Sequence, residues 1–150
     1  MCIRDRFYEG LRAVLRHPVF RDGEWRLLEC APAWDGNWTA DCFMAWVWKG
    51  AAGDRRLVVV NYAANQSQCY VRVPLQDLGE RSVRFEDLMG SLGSVGFDRE
   101  KSDLDARGLY LDMPAWGYHV FDVTALEEAH IGGGLQAELS SDRVPALLTR

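Results

Sequence analysis

No stretch of this 150-residue chain comes near the ~18 consecutive apolar residues that would suggest a membrane span. Positive charge is short as well: 17 Lys and Arg stand against 22 Asp and Glu, and no basic cluster supplies the electrostatic footprint of a nucleic-acid binder. Neither a membrane nor a nucleic acid is therefore an expected partner. Only three histidines are present, and His17, His119 and His130 fall in no ligand or triad-like spacing, so His17 and His119 are expected to be structural and His130 solvated. The four cysteines (Cys2, Cys30, Cys42, Cys69) include no C-x-x-C pair and no metal-ligand spacing. They read as reduced thiols that behave like small core residues, with a Cys30–Cys42 disulfide left open for an exported protein. Gly132-Gly133-Gly134 lacks both the preceding strand and the following lysine of a phosphate loop. No cofactor is implied. The start, Met1-Cys2-Ile3-Arg4-Asp5-Arg6, is charged and has no apolar core segment of a signal peptide. Compartment is left undecided, with the cytoplasm slightly favoured.

What is present is the material of a folded domain: 48% hydrophobic residues with 26% charged. Residues 7–16 predict a helix, with Phe7, Leu11, Val14 and Leu15 at helical spacing and Glu9, Arg12 and Arg16 on the other side. Pro18 stops it, and Arg21-Asp22-Gly23 makes a turn. Beyond that, short runs predict strands over 25–30, 42–48, 57–62, 69–73, 82–88, 108–113 and 116–123. In the second of these, Met44, Trp46 and Trp48 share one face and Phe43, Ala45 and Val47 the other. Apolar residues on both faces predict burial on both sides or a large neighbour. The expected fold is mainly β, an antiparallel Greek-key-type β-sandwich preceded by one α-helix. Gly90 to Ala106 reads as a polar loop. A capping box at Thr124-Ala125-Leu126-Glu127 predicts a short helix, followed by a flexible tail from Leu135 to Arg150.

No residue along the chain stands in a spacing that marks it as catalytic or metal-ligating. Asp98, Glu100, Asp103 and Asp105 cluster in one loop, where a weak calcium site competes with plain solvation, and the spacing is not that of an EF-hand. Two glycosylation tripeptides occur, Asn37-Trp38-Thr39 and Asn65-Gln66-Ser67, and these matter only in a glycosylating pathway. The aromatic residues carry more promise. In Trp34-Asp35-Gly36-Asn37-Trp38 two indoles sit in a polar loop, and an exposed indole can stack on a sugar ring. Trp34, Asp35, Asn37 and Trp38 are thus the candidate sugar-binding residues. The competing reading packs both indoles on the sandwich or on a partner domain.

Taken in order, several segments resemble the end of an α-amylase superfamily glycoside hydrolase. Phe7 to Pro18 looks like the last barrel helix of that family, followed by Arg21-Asp22-Gly23; Leu57 to Asn61 matches its apolar strand ending in Asn. Pro114-Ala115-Trp116-Gly117-Tyr118-His119-Val120-Phe121 matches its last strand. The resemblance covers roughly residues 7–123. It implies a C-terminal β-domain at 24–123, with 7–23 as the last helix and linker of a catalytic barrel and 124–150 as a short helix and tail. That family's catalytic carboxylates lie upstream of such a helix, so none is carried over. Residues 1–6 fit neither the helix pattern nor the family; they resemble translated adapter sequence and are expected to be a non-native start. The expected function is therefore a non-catalytic accessory domain that stabilises the barrel of an α-glucan-acting enzyme. That barrel is its expected partner, and α-glucan would be a second one. The alternative is a carbohydrate-binding module that uses exposed tryptophans.

Overall fold

The computed structural model of the chain describes residues 2–79, 81–90 and 96–126. Helix α1 spans Ile3–Leu15, beginning at Ile3 where the apolar spacing predicts Phe7. Arg4, Asp5 and Arg6 cost little in a helix, and Asp5 in the first turn complements the helix dipole, so the charged start extends the helix. After His17-Pro18 a single helical turn, α2 (Val19–Asp22), takes in Arg21 and Asp22 of the turn expected at Arg21-Asp22-Gly23. It can follow Pro18 because proline needs no backbone N–H partner at a helix start.

The strands are β1 (Glu24–Leu28), β2 (Cys30–Ala31), β3 (Phe43–Lys49), β4 (Arg55–Asn61), β5 (Ser67–Val71), β6 (Val83–Asp87), β7 (Gly96–Arg99), β8 (Leu109–Met113) and β9 (Tyr118–Ala125). One sheet has six strands in the order β1-β3-β4-β9-β6-β7, the other three in the order β2-β5-β8. Neighbouring strands pair antiparallel throughout. The chain enters the smaller sheet after β1, β4 and β7 and returns to the larger one after β2, β5 and β8. This is the mainly β, two-sheet architecture that the short alternating runs predict.

Period-two alternation decides what the core contains. From the larger sheet, Phe43, Ala45, Leu57, Val59, Val83, Phe85, Phe121 and Val123 point inward; from the smaller, Cys69, Val71, Leu109, Leu111 and Met113 meet them in one cluster. The apolar face of Trp46 and Trp48 is the outer one. There α1 and α2 lie across the sheet, with Phe7 edge-on to Tyr118 at 5.3 Å and Phe20 edge-on to Trp48 at 6.2 Å. The cover is loose: no residue of α1 is buried, and a groove of about 210 Å³ remains between Leu11, Val14, Leu15, Phe20, Trp46, Trp48, Val58 and Val120.

Several local expectations are corrected. The run from Trp25 to Cys30 is two strands, because Glu29 marks the point where the chain leaves one sheet for the other. The expected loop from Gly90 to Ala106 contains β7 and helix α3 (Lys101–Arg107). β7 is held by cross-strand pairs such as Phe97 opposite Phe85, a non-local partnership invisible in a polar segment. Gly108 closes α3 at φ 94°, where an added Cβ would lie 2.7 Å from the Val71 carbonyl oxygen, so the position requires glycine. Thr124 and Ala125 belong to β9, with Thr124 opposite Arg84, so no helix opens at Thr124. The rest of that expected helix, from Glu127, and the expected tail lie outside the described residues, as does His130. Trp116 is in the turn before β9, with φ 58° in the left-handed region that side chains rarely adopt. No helix among the described residues is long and apolar enough to cross a membrane.

Candidate functional site

The loop carrying the candidate sugar-binding residues leads from β2 into a 3₁₀ turn at Trp38–Cys42. Gly36 (φ 78°) allows the tight reversal between Trp34 and Asn37. Trp34 and Trp38 are exposed, at 53% and 68%, and Asp35 is exposed as well. Asn37 is different. It is 6% exposed, its Oδ1 accepts from the Ala33 N–H at 3.2 Å, and its Nδ2 donates to Thr39 Oγ1 at 2.8 Å. Its amide holds the loop, so it is placed neither to meet a sugar nor to accept a glycan. Thr39 in turn accepts from the Gln68 N–H at 3.1 Å. The Thr39–Gln68 contact thereby ties the turn that begins at Trp38 to the edge of β5 beyond β2.

That outer face was not singled out by sequence. It presents Ala31 on β2, Gln68 and Tyr70 on β5, and Tyr110 and Asp112 on β8, in register across the sheet. The Tyr70 and Tyr110 rings lie 5.5 Å apart, tilted at 59°. Gln66 and Gln68 both donate through Nε2 to Asp112 Oδ1, at 2.8 and 2.9 Å. Burial, followed by the nearby negative charge of Asp112, raises the Tyr110 hydroxyl above its ordinary pKa, so it is a neutral donor at physiological pH. Alternation within each run was legible, but the pairing of residues more than forty positions apart was not.

His119 and Asp87 form a second cluster. His119 Nδ1 lies 2.8 Å from Asp87 Oδ2, and the imidazole stacks on Phe121 at 5.0 Å. Burial alone would raise the Asp87 carboxyl; hydrogen bonds from His119 and the Met89 N–H outweigh it and hold the group below its ordinary value. A nucleophile would need to bond the imidazole, and among the described residues only Asp87 does so. His17 accepts from the Val19 N–H at 3.3 Å, beside the stop of α1.

The carboxylates considered for calcium diverge. Asp98 pairs with Arg84, Glu100 accepts from Ser82, Asp103 faces Arg107, and Asp105 pairs with Lys101. Among the described residues, no three His, Cys, Asp or Glu side chains are grouped to hold a metal ion. The four cysteines are free thiols. The neighbour of Cys30 is Cys69 on β5 rather than Cys42. A thiol–thiol hydrogen bond, then burial, pushes the Cys69 thiol up, while the same bond lowers Cys30 against its own burial.

No protein-family model matches this chain, and no curated protein does. Among solved structures, the chain is similar to a GH27 β-L-arabinopyranosidase from Geobacillus stearothermophilus, with a TM-score of 0.42 and 19% identity. The match covers 79% of this chain and 22% of that one, so the chain spans about a fifth of that enzyme's length. A likeness this loose says nothing about activity, and the resemblance to the α-amylase superfamily rests on the sequence motifs alone.

Proposed function

We propose that this chain acts as a non-catalytic β-sandwich accessory domain of a carbohydrate-active enzyme of α-amylase type, docking on that enzyme's catalytic barrel. One observation carries the docking: on the outer face of the six-strand sheet Trp25, Leu27 and Met44 are 50%, 58% and 50% exposed, beside a helix that buries none of its residues. Large apolar side chains gathered on one face mark an interaction surface. A barrel supplies the apolar cover that α1 alone leaves incomplete. The amylase assignment comes from the segments Phe7 to Pro18, Leu57 to Asn61 and Pro114 to Phe121.

The test is the source DNA upstream of the Phe7 codon, joined to an assay of the purified chain on starch and maltooligosaccharides. A frame continuing into a (β/α) barrel with strand-end Asp and Glu residues is expected, together with no turnover by the chain. Turnover by the chain alone, or a frame that enters some other fold, would overturn the reading.

A second reading, a sugar-binding module, is favoured by the exposure of both Trp34 and Trp38 on one short loop. It expects Trp34→Ala with Trp38→Ala to remove glucan binding without lowering thermal stability.

A further inference from the structure

We infer that the outer face of the three-strand sheet binds a neutral oligosaccharide, with Tyr110 as its stacking ring and Asp112 as its hydroxyl acceptor. The inference deepens the sugar-binding reading, moving its centre from the tryptophan loop to the adjoining sheet.

Three features carry it. Tyr110 is 45% exposed on β8, and Tyr70 leans against it at 5.5 Å, so the ring is braced on one side and open on the other. A pyranose offers one face of C–H bonds to such a ring and directs its hydroxyls sideways, where they need fixed polar partners. Asp112, next outward along the same strand, supplies them. Its Oδ1 is held by the amides of Gln66 and Gln68, and its Oδ2 has no partner among the described residues. The two glutamines lock the carboxylate before any ligand arrives, which reduces the ordering cost of binding.

The composition of the face selects the ligand class. β5 and β8 direct no aliphatic residue outward here, so a protein partner would lack the apolar centre that stable interfaces contain. Asp112 is in no ion pair with a cation among the described residues, so an anionic glycan would meet repulsion. A neutral chain pays neither penalty. The exposed Trp38 immediately precedes Thr39, whose hydroxyl bonds Gln68 at the β5 edge. The face belongs to the sheet opposite the apolar surface of Trp25 and Leu27, so a docked catalytic domain would leave it open to a glycan.

Affinity electrophoresis of the 150-residue chain tests this in gels containing soluble starch, hydroxyethylcellulose, arabinoxylan or galactomannan, with alginate as the anionic control. At least one neutral polymer should retard the wild type, while alginate does not. Tyr110→Ala and Asp112→Ala should each weaken that binding by about tenfold or more, ~1.4 kcal/mol. Tyr110→Phe should retain most of it, and thermal midpoints should stay at the wild-type value. If Trp34→Ala with Trp38→Ala abolishes binding while Tyr110→Ala and Asp112→Ala bind normally, the sheet site is wrong and the tryptophan loop survives. Retardation by no neutral polymer overturns both and leaves the accessory-domain reading standing. Preferential retardation by alginate overturns the assignment of ligand class.

Discussion

Asn61 closes the inner face of β4 at 0% exposure, where an apolar side chain would ordinarily continue the Leu57 and Val59 pattern. Its Nδ2 donates to the carbonyls of Asn65, Met113 and Pro114, and its Oδ1 accepts from the Ala63 N–H. One amide therefore ties the turn after β4 to the turn after β8. Replacing it with alanine leaves buried backbone groups unpaired, at a cost of about 2–4 kcal/mol. Urea unfolding of Asn61→Ala measures this, and a change under about 1 kcal/mol would mean the turns hold without it. At the opposite end of β4, Arg55 is 2% exposed and pairs with Asp77. The hydrogen bond from Lys49, then that from Arg55, holds the Asp77 carboxyl at about 2 against burial, from an ordinary 3.8. A carboxylate with a depressed folded pKa stabilises above its unfolded pKa, and that stability is lost as pH falls through the folded value. Asp77→Asn should therefore lower the urea midpoint at pH 6 and approach wild type only as the pH falls below about 2. Because the Asp77 side chain is 47% exposed, solvent screening keeps the effect well below its full Coulomb value.

Among the elements, β4 and α1 stand at opposite extremes. β4 pairs on both sides, with β3 and β9, and Leu57 and Val59 are 0% exposed. α1 ends in a few partly covered side chains on an outer sheet face, and tertiary packing is what normally holds a helix of this length. Its amides should exchange with solvent at least about a hundredfold faster than those of β4, as expected when local opening needs little energy. Hydrogen-exchange NMR separates the two; equal protection would show that α1 is held more firmly than its exposure implies. The edge strand β1 is a different liability. Trp25 and Leu27 face outward from it, and its outer backbone edge has no strand beside it among the described residues.

For the whole molecule, the two outer surfaces differ in kind: tryptophan, leucine and methionine on one, tyrosine, glutamine and aspartate on the other. The first gives free chains a reason to associate. Light scattering should show concentration-dependent self-association of the wild type, and Leu27→Lys with Met44→Lys should reduce it while preserving the far-UV circular dichroism. A wild type that stays monodisperse at high concentration would show that α1 and α2 shield the face better than its exposed residues suggest. Both substituted side chains are half-exposed or more, so the core is untouched.

The class of fold was written in the sequence because short strand-like runs between turn signals are local features: the run around Cys69 alternates cleanly, while those around Phe43 and Leu57 are apolar throughout and left their inner face open. The sequence left two readings of Trp34 and Trp38 open, exposed in a polar loop or packed on the sandwich, and the structure exposes both. Pairing is not local, and only the tertiary structure decided it. It turned Glu29 into a crossing between sheets, made strand β7 out of a polar stretch, and set Cys30 beside Cys69 in place of Cys42. It also buried Asn37 to hold the loop it was expected to arm, and it brought Gln66, Gln68, Tyr70, Tyr110 and Asp112 onto one surface. Those residues come from segments far apart in the chain, and no local period encodes which strand will lie beside which.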